Sequence, residues 1–138
     1  MTEQENIDLV RKGYEAFGRG DVAGLLATLD EQVLWVTSGP ADLPTAGRRR
    51  GHEGAREFVR TLSTVVDVER FEPKQFVAQG DLVIVLGTDA GRLKSTGKTF
   101  DMDFAHAFTI RNGKVAAFQE YRDTSALVTE LRGARVAA

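Results

Sequence analysis

The stretch from Phe100 to Ile110 places one histidine among aromatics. Phe100, Met102, Phe104, His106, Phe108 and Ile110 alternate with Asp101, Asp103, Ala105, Ala107 and Thr109, and alternate residues of a strand face opposite sides. The first set is apolar apart from His106, so that face belongs to the interior and carries the imidazole with it. A neutral imidazole has one donor and one acceptor to satisfy. Such a ring is either a core histidine bonded to a neighbour or water, or a general acid/base or oxyanion donor. Three carboxylates could act with it. Glu120, if it lies in an apolar cavity, would have its pKa raised by desolvation, which suits proton transfer; its alternative is an ion pair with Arg122 or another basic residue. Asp89 shares a strand face with Val83, Val85 and Gly87, and is expected as an exposed strand-end carboxylate unless that face looks inward. Asp123 precedes Thr124-Ser125-Ala126-Leu127 and reads as a helix N-cap.

The turn at Asn112-Gly113 decides what faces His106. A two-residue type I′ turn pairs Ile110 with Val115 and His106 with Gln119. A three-residue turn over Arg111-Asn112-Gly113 pairs Ile110 with Lys114 and His106 with Phe118, leaving Glu120 and Arg122 on the histidine's face. A slip of one residue exchanges the whole set.

The elements that must position these groups follow from periodicity. Thr2 and Glu5 have capping-box spacing, and Ile7, Val10, Tyr14 and Phe17 share one helical face. Gly18 and Gly20 stop that helix. Asp21 caps a second helix with Val22, Leu25, Leu26 and Leu29 buried. Residues 32–37 alternate as a strand, with Val33, Trp35 and Thr37 on one face. Residues 38–51 hold two prolines and three glycines and read as a long loop. A third helix from about His52 buries Phe58, Val59, Leu62 and Val65. Strands are expected at 68–79, 81–93, 98–111 and 114–122, and a last helix at 124–132 stopped by Gly133. Helices first and strands later argue for an α+β domain with a curved, mostly antiparallel sheet.

Composition narrows the chemistry. The chain has 138 residues, 42% hydrophobic and 28% charged, with net charge -2, no cysteine and two histidines. That length fits one domain, 1–138. Thiol chemistry is excluded, and a histidine-rich metal site is not expected. The charge balance gives no case for nucleic acid or an anionic membrane. With no basic, apolar leader in view, a cytoplasmic location is the default expectation. Gly91 to Thr99 nearly spells a phosphate loop, but it lies between strands and has one residue too many. Arg19-Gly20-Asp21 is a helix stop followed by a cap. Arg48-Arg49-Arg50 reads as a solvated loop cluster, and His52 with Glu53 as an exposed pair.

The element order, with Tyr14-Glu15-Ala16-Phe17 ahead of Gly20-Asp21, resembles the SnoaL-like family of the nuclear transport factor 2-like superfamily. So does the run from His106 to Val115, continued by Glu120-Tyr121-Arg122-Asp123-Thr124. The likeness spans nearly the whole chain and rests on order and spacing. It implies a cone in which three N-terminal helices pack on the sheet and enclose a pocket. It also implies a homodimer through the outer sheet face, where the small residues Ala105 and Ala107 would let two sheets approach. The pocket parity of related folds selects the three-residue turn, hence Glu120 buried and Gln119 outward. The superfamily hosts many reactions, so the resemblance names none by itself. Limonene-epoxide-hydrolase-like relatives hold a water between two carboxylates and an arginine; Asp89 and Glu120 match the carboxylates, but Gly87 stands at the arginine's place. Ketosteroid-isomerase-like relatives use an aspartate base where this chain has Thr37, which cannot serve; His106 falls at or beside their protonated aspartate and Tyr14 one residue from their tyrosine. Polyketide-cyclase-like relatives use a late aspartate, and Asp123 lies in a comparable stretch.

These residues lead to an expected cofactor-independent acid–base enzyme of the isomerase, cyclase or lyase type. Its substrate would be a small hydrophobic, carbonyl-bearing or polyketide-like molecule. His106 would meet the reacting oxygen, and Glu120, or failing it Asp89 or Asp123, would shuttle the proton. Tyr14, Trp35, Phe58, Phe104 and Phe118 would supply apolar walls, with Arg122 on the same face. The alternatives are a non-catalytic small-ligand binder of the same fold, an epoxide-hydrolase-like enzyme, and a protein-interaction module.

Overall fold

The computed structural model describes residues 1–125 and 127–129. Helix α1 (Glu3–Gly18) starts at the Thr2 capping box: the Thr2 hydroxyl accepts from Glu5 N–H at 3.0 Å, and Glu5 accepts from Thr2 N–H at 2.8 Å. Gly20, at φ 72°, turns the chain. Asp21 then caps α2 (Val22–Ala27), accepting from Gly24 N–H at 2.8 Å. Leu29, expected to close α2, instead opens β1 (Leu29–Thr37) and is buried there. The chain continues through β2 (Gly47–Arg50), α3 (Gly51–Val65), β3 (Val66–Gln79), β4 (Leu82–Leu93), β5 (Thr99–Arg111) and β6 (Lys114–Arg122).

The six strands form one sheet in the order β2-β1-β6-β5-β4-β3. Only the β1–β6 pair is parallel. The core, centred on Val33, Val83, Val85, Phe108 and Phe118, packs under the helices. Asn6 and Glu3 fasten α1 to the β3–β4 turn through the Gly80 carbonyl and N–H.

Two expectations are corrected here. The loop from 38 ends at 46, because Gly47–Arg50 pairs with β1 as an edge strand. The three arginines are therefore β2, where charge blunts an exposed edge, and Arg49 folds back over the Phe58 ring at 5.5 Å. The hairpin turn is the second. Asn112 and Gly113 both have positive φ, 52° and 73°, the signature of a two-residue type I′ turn, and Ile110 pairs with Val115. The expected three-residue turn is wrong, yet the expected face is right. The register shifts after Ile110, so that Thr109 pairs with Ala117 and His106 with Glu120. Val115 and Phe118 are both buried although they stand three positions apart, which in a regular strand sets them on opposite faces. A bulge at Ala116 reconciles the two, because one extra residue restores the face.

Ser125 and residues 127–129 are helical; the rest of the expected last helix and its stop at Gly133 lie outside the described residues. Among the described residues no helix is long and apolar enough to cross a membrane.

Candidate active site

Cross-strand register sorts the inner face of the sheet into rows. Phe108 stands beside Phe118, which pairs with Trp35 of β1; His106 stands between Val85 and Glu120; Phe104 stands between Gly87 and Arg122; Met102 stands beside Asp89. A cavity of about 100 Å³ for the centre of a water-sized molecule opens over these rows. That is several times the ~10–15 Å³ one water needs. Tyr14, Trp35, Phe58 and Phe118 form apolar walls, and Asp89, His106, Glu120 and Arg122 also reach it.

The polar groups form a chain. The Tyr14 hydroxyl lies 2.7 Å from His106 Nδ1. His106 Nε2 lies 3.8 Å from Glu120 Oε2, facing it at more than hydrogen-bond length. Arg122 Nη1 lies 3.6 Å from the same oxygen, while its Nη2 donates to both Asp89 oxygens at 2.9 and 3.0 Å. One guanidinium thus bridges two buried carboxylates.

Their protonation follows from surroundings. Burial pushes Glu120 up, but His106 and the Arg122 guanidinium outweigh it and, with Ser38 N–H at 3.4 Å, hold it below 4.5. Burial raises Asp89 above 3.8 despite Arg122, with Glu120 and Asp101 adding to the rise. The expectation that Glu120 would be the raised carboxylate is reversed. Burial lowers His106 below 6.5 and keeps it neutral at pH 7. Burial and then the Glu120 charge raise Tyr14, which stays a phenol. The Glu120 charge facing Nε2 favours the tautomer with its proton there, in which Nδ1 accepts from the Tyr14 hydroxyl.

Of the expected site residues, the fold gathers His106, Glu120, Tyr14, Trp35, Phe58, Phe118 and Arg122 at one cavity. Asp89 joins them and is 6% exposed; the inward face of β4 overturns its expectation as a surface carboxylate. Two others do not belong. Asp123 is exposed, and its carboxylate accepts from Ser125 N–H at 2.9 Å, the capping role. Phe104 lies behind the wall. Its ring stacks on His106 at 4.2 Å and covers Gly87, whose added Cβ would sit 2.6 Å from the ring. The space where an arginine at 87 would start is thus filled, and Arg122 brings a guanidinium from β6 instead. His52, expected as exposed, is half-buried and donates to the Leu29 carbonyl at 2.9 Å. Ser38 is the residue that pattern reasoning missed: its N–H faces the Glu120 carboxylate and its hydroxyl donates to the Glu120 carbonyl. Its place just beyond the inward Thr37 was the available signal. Among the described residues no three histidine, aspartate or glutamate side chains gather as a metal site.

The profile of the SnoaL-like domain matches residues 10–118. The chain belongs to the SnoaL-like domain family. Among solved SnoaL-like and related folds, it is similar to an NTF2-like protein from Burkholderia xenovorans LB400, with 42% identity over 94% of this chain and 98% of that one, at a TM-score of 0.86. It is also similar to TerC, co-crystallised with polyporic acid, with 32% identity over 93% and 98% of the two chains and a TM-score of 0.84. An NTF2-like protein from Burkholderia pseudomallei K96243 follows, with 29% identity over 94% and 98% and a TM-score of 0.85. No curated protein gives a significant match. The SnoaL-like fold and the family are thereby shown.

Proposed function

We propose that this SnoaL-like protein is a cofactor-independent acid–base enzyme of the isomerase, cyclase or lyase type. Its substrate is a small hydrophobic molecule with a carbonyl or polyketide-like oxygenated centre. The observation that carries this reading is the Tyr14–His106–Glu120–Arg122–Asp89 chain set in an otherwise apolar cavity. Ionised Glu120 is the base that takes a proton from the carbon beside the carbonyl. The Tyr14 phenol turns from His106 to the carbonyl oxygen and stabilises the enolate, with the Arg122 charge close by. The proton taken by Glu120 then returns to carbon, at the same or a conjugated position, which leaves the enzyme unchanged. Asp89, its pKa raised by burial, shares the Arg122 guanidinium with Glu120 and tempers the charge at the base. The likeness to TerC supports an oxygenated aromatic ligand, since that relative was crystallised with polyporic acid.

One observation favours a second reading. Arg122 lies between Asp89 and Glu120, so a carboxylate–guanidinium–carboxylate cluster able to hold a water is present although position 87 is glycine. Such a cluster suits epoxide hydration. Incubation in D2O with alkyl and aryl ketones, and separately with apolar epoxides, tests both. Loss of the ketone α-proton signal is the expected result. Diol formation without ketone exchange would favour the second reading, and binding with neither reaction would leave a ligand-binding protein.

We further propose a homodimer through the outer face of the sheet. Val77, Leu86 and Tyr121 are 58%, 41% and 58% exposed there. Register sets Val77 beside Ile84 and Ala107, and Leu86 beside Ala105 and Tyr121.

A further inference from the structure

The polar groups do not sit at one end of the cavity. Along the inner face of β5 the rows run Phe108, His106, Phe104, Met102, Phe100, and the charged partners Glu120, Arg122 and Asp89 attach to the middle three. Cavity-lining apolar side chains lie on both sides of this band. Trp35, Phe58 and Phe118 line one side, with Trp35 stacked on Phe118 at 4.2 Å. Val66, Phe100 and Leu127 line the other; they belong to a second apolar cluster, distinct from the main core. Val68, 41% exposed, reaches the rim of that second side. A ligand with a polar head and a single apolar tail would fill one side and leave the other empty. Two wall donors, Trp35 Nε1–H and Arg122 Nε–H, also lack a partner among the described residues, and an oxygenated ligand centre supplies acceptors beside the band.

We infer that the cavity selects molecules with two apolar arms flanking a central carbonyl, one arm on each side of the His106–Glu120–Arg122–Asp89 band. The inference rests on the acid–base reading for what happens at the centre, but the demand for two arms comes from the apolar walls alone. Charge sets a further limit: two carboxylates share one guanidinium, so the centre is expected to be a neutral ketone rather than a carboxylate, which would add a third negative charge.

The test is a titration followed by the fluorescence of Trp35, the chain's one tryptophan, with 1,3-diphenylacetone, phenylacetone and acetone. Burial of the second phenyl should tighten binding at least about tenfold from phenylacetone to 1,3-diphenylacetone. Val68→Phe, which fills the second side from its rim, should erase that difference. Equal affinities of the two ketones for the unaltered protein would overturn the inference, and so would an undiminished preference in a folded Val68→Phe variant. The comparison on the unaltered protein decides the matter even if the variant does not fold. Proton exchange is read in the same samples: two-armed preference without exchange would overturn the acid–base function and leave the two-armed site standing. Exchange of both ketones with no preference would do the reverse, and no binding of any ketone would overturn both.

Discussion

Removing a charge from water costs several kcal/mol unless a partner compensates, and this wall buries two carboxylates around one guanidinium. The residues divide that burden unequally. Glu120 stays charged against His106 and Arg122, while burial pushes both Asp89 and His106 toward their neutral forms. The His106 shift has a sign that can be worked out. Its folded pKa lies below the 6.5 of an exposed imidazole, so below that pH the unfolded chain binds a proton that the folded chain refuses. The contribution to stability is full above 6.5 and is lost as pH falls through the folded value. Denaturant midpoints should therefore drop for the unaltered protein from about pH 6.5 to 5, with a shallower drop for His106→Asn. Equal slopes for the two proteins would show that the imidazole is not held neutral. Glu120 works in the same direction but below 4.5, and Asp89 in the opposite direction, stabilising below 3.8 and losing that contribution as pH rises.

At the scale of elements, the decisive device is one extra residue in β6. Deleting Ala116 would join the type I′ turn to an unbroken ladder and turn Phe118, Glu120 and Arg122 to the outer face or break the pairing. Loss of the buried Phe118 alone should cost about 3–5 kcal/mol, readable by urea denaturation; a deletion within ~0.5 kcal/mol of the unaltered protein would mean the bulge does not set the face. The same device shows what could be read beforehand. Alternation in Phe100–Ile110 was enough to place His106 inside, and the Thr2–Glu5 and Asp21 caps announced their helices, because these signals are local. The turn was read wrongly because its register was chosen by parity, while the chain satisfies the Asn-Gly dipeptide and the parity together by inserting a bulge. The spacing of Val115 and Phe118, both apolar and three apart, held that information. The pairing of Arg122 with Asp89 was not legible, since it reaches across β5 from β6 to β4, and the turn-in of Asp89 depended on which face of β4 the helices would cover. Arg48-Arg49-Arg50 was misread because strand pairing with β1 overrides a local composition that favours loop.

For the whole molecule, the two faces of the sheet differ: the inner side carries the cavity with its buried polar chain, and the outer side exposes Val77, Leu86 and Tyr121, the surface of the proposed dimer. Sedimentation at micromolar concentration should report a dimer, and Ala107→Glu should give a folded monomer by placing a charge in the contact; a monomer in the unaltered protein would remove the dimer from the account. The chamber itself is tested most directly by α-proton exchange of 1,3-diphenylacetone in D2O, comparing the unaltered protein with Glu120→Gln, which keeps the shape and removes the base. The account predicts exchange well above the solvent rate, slowed about 10²–10⁴-fold in Glu120→Gln with ketone affinity retained. Exchange as fast in Glu120→Gln as in the unaltered protein, or a ketone that binds and is never exchanged, would contradict it.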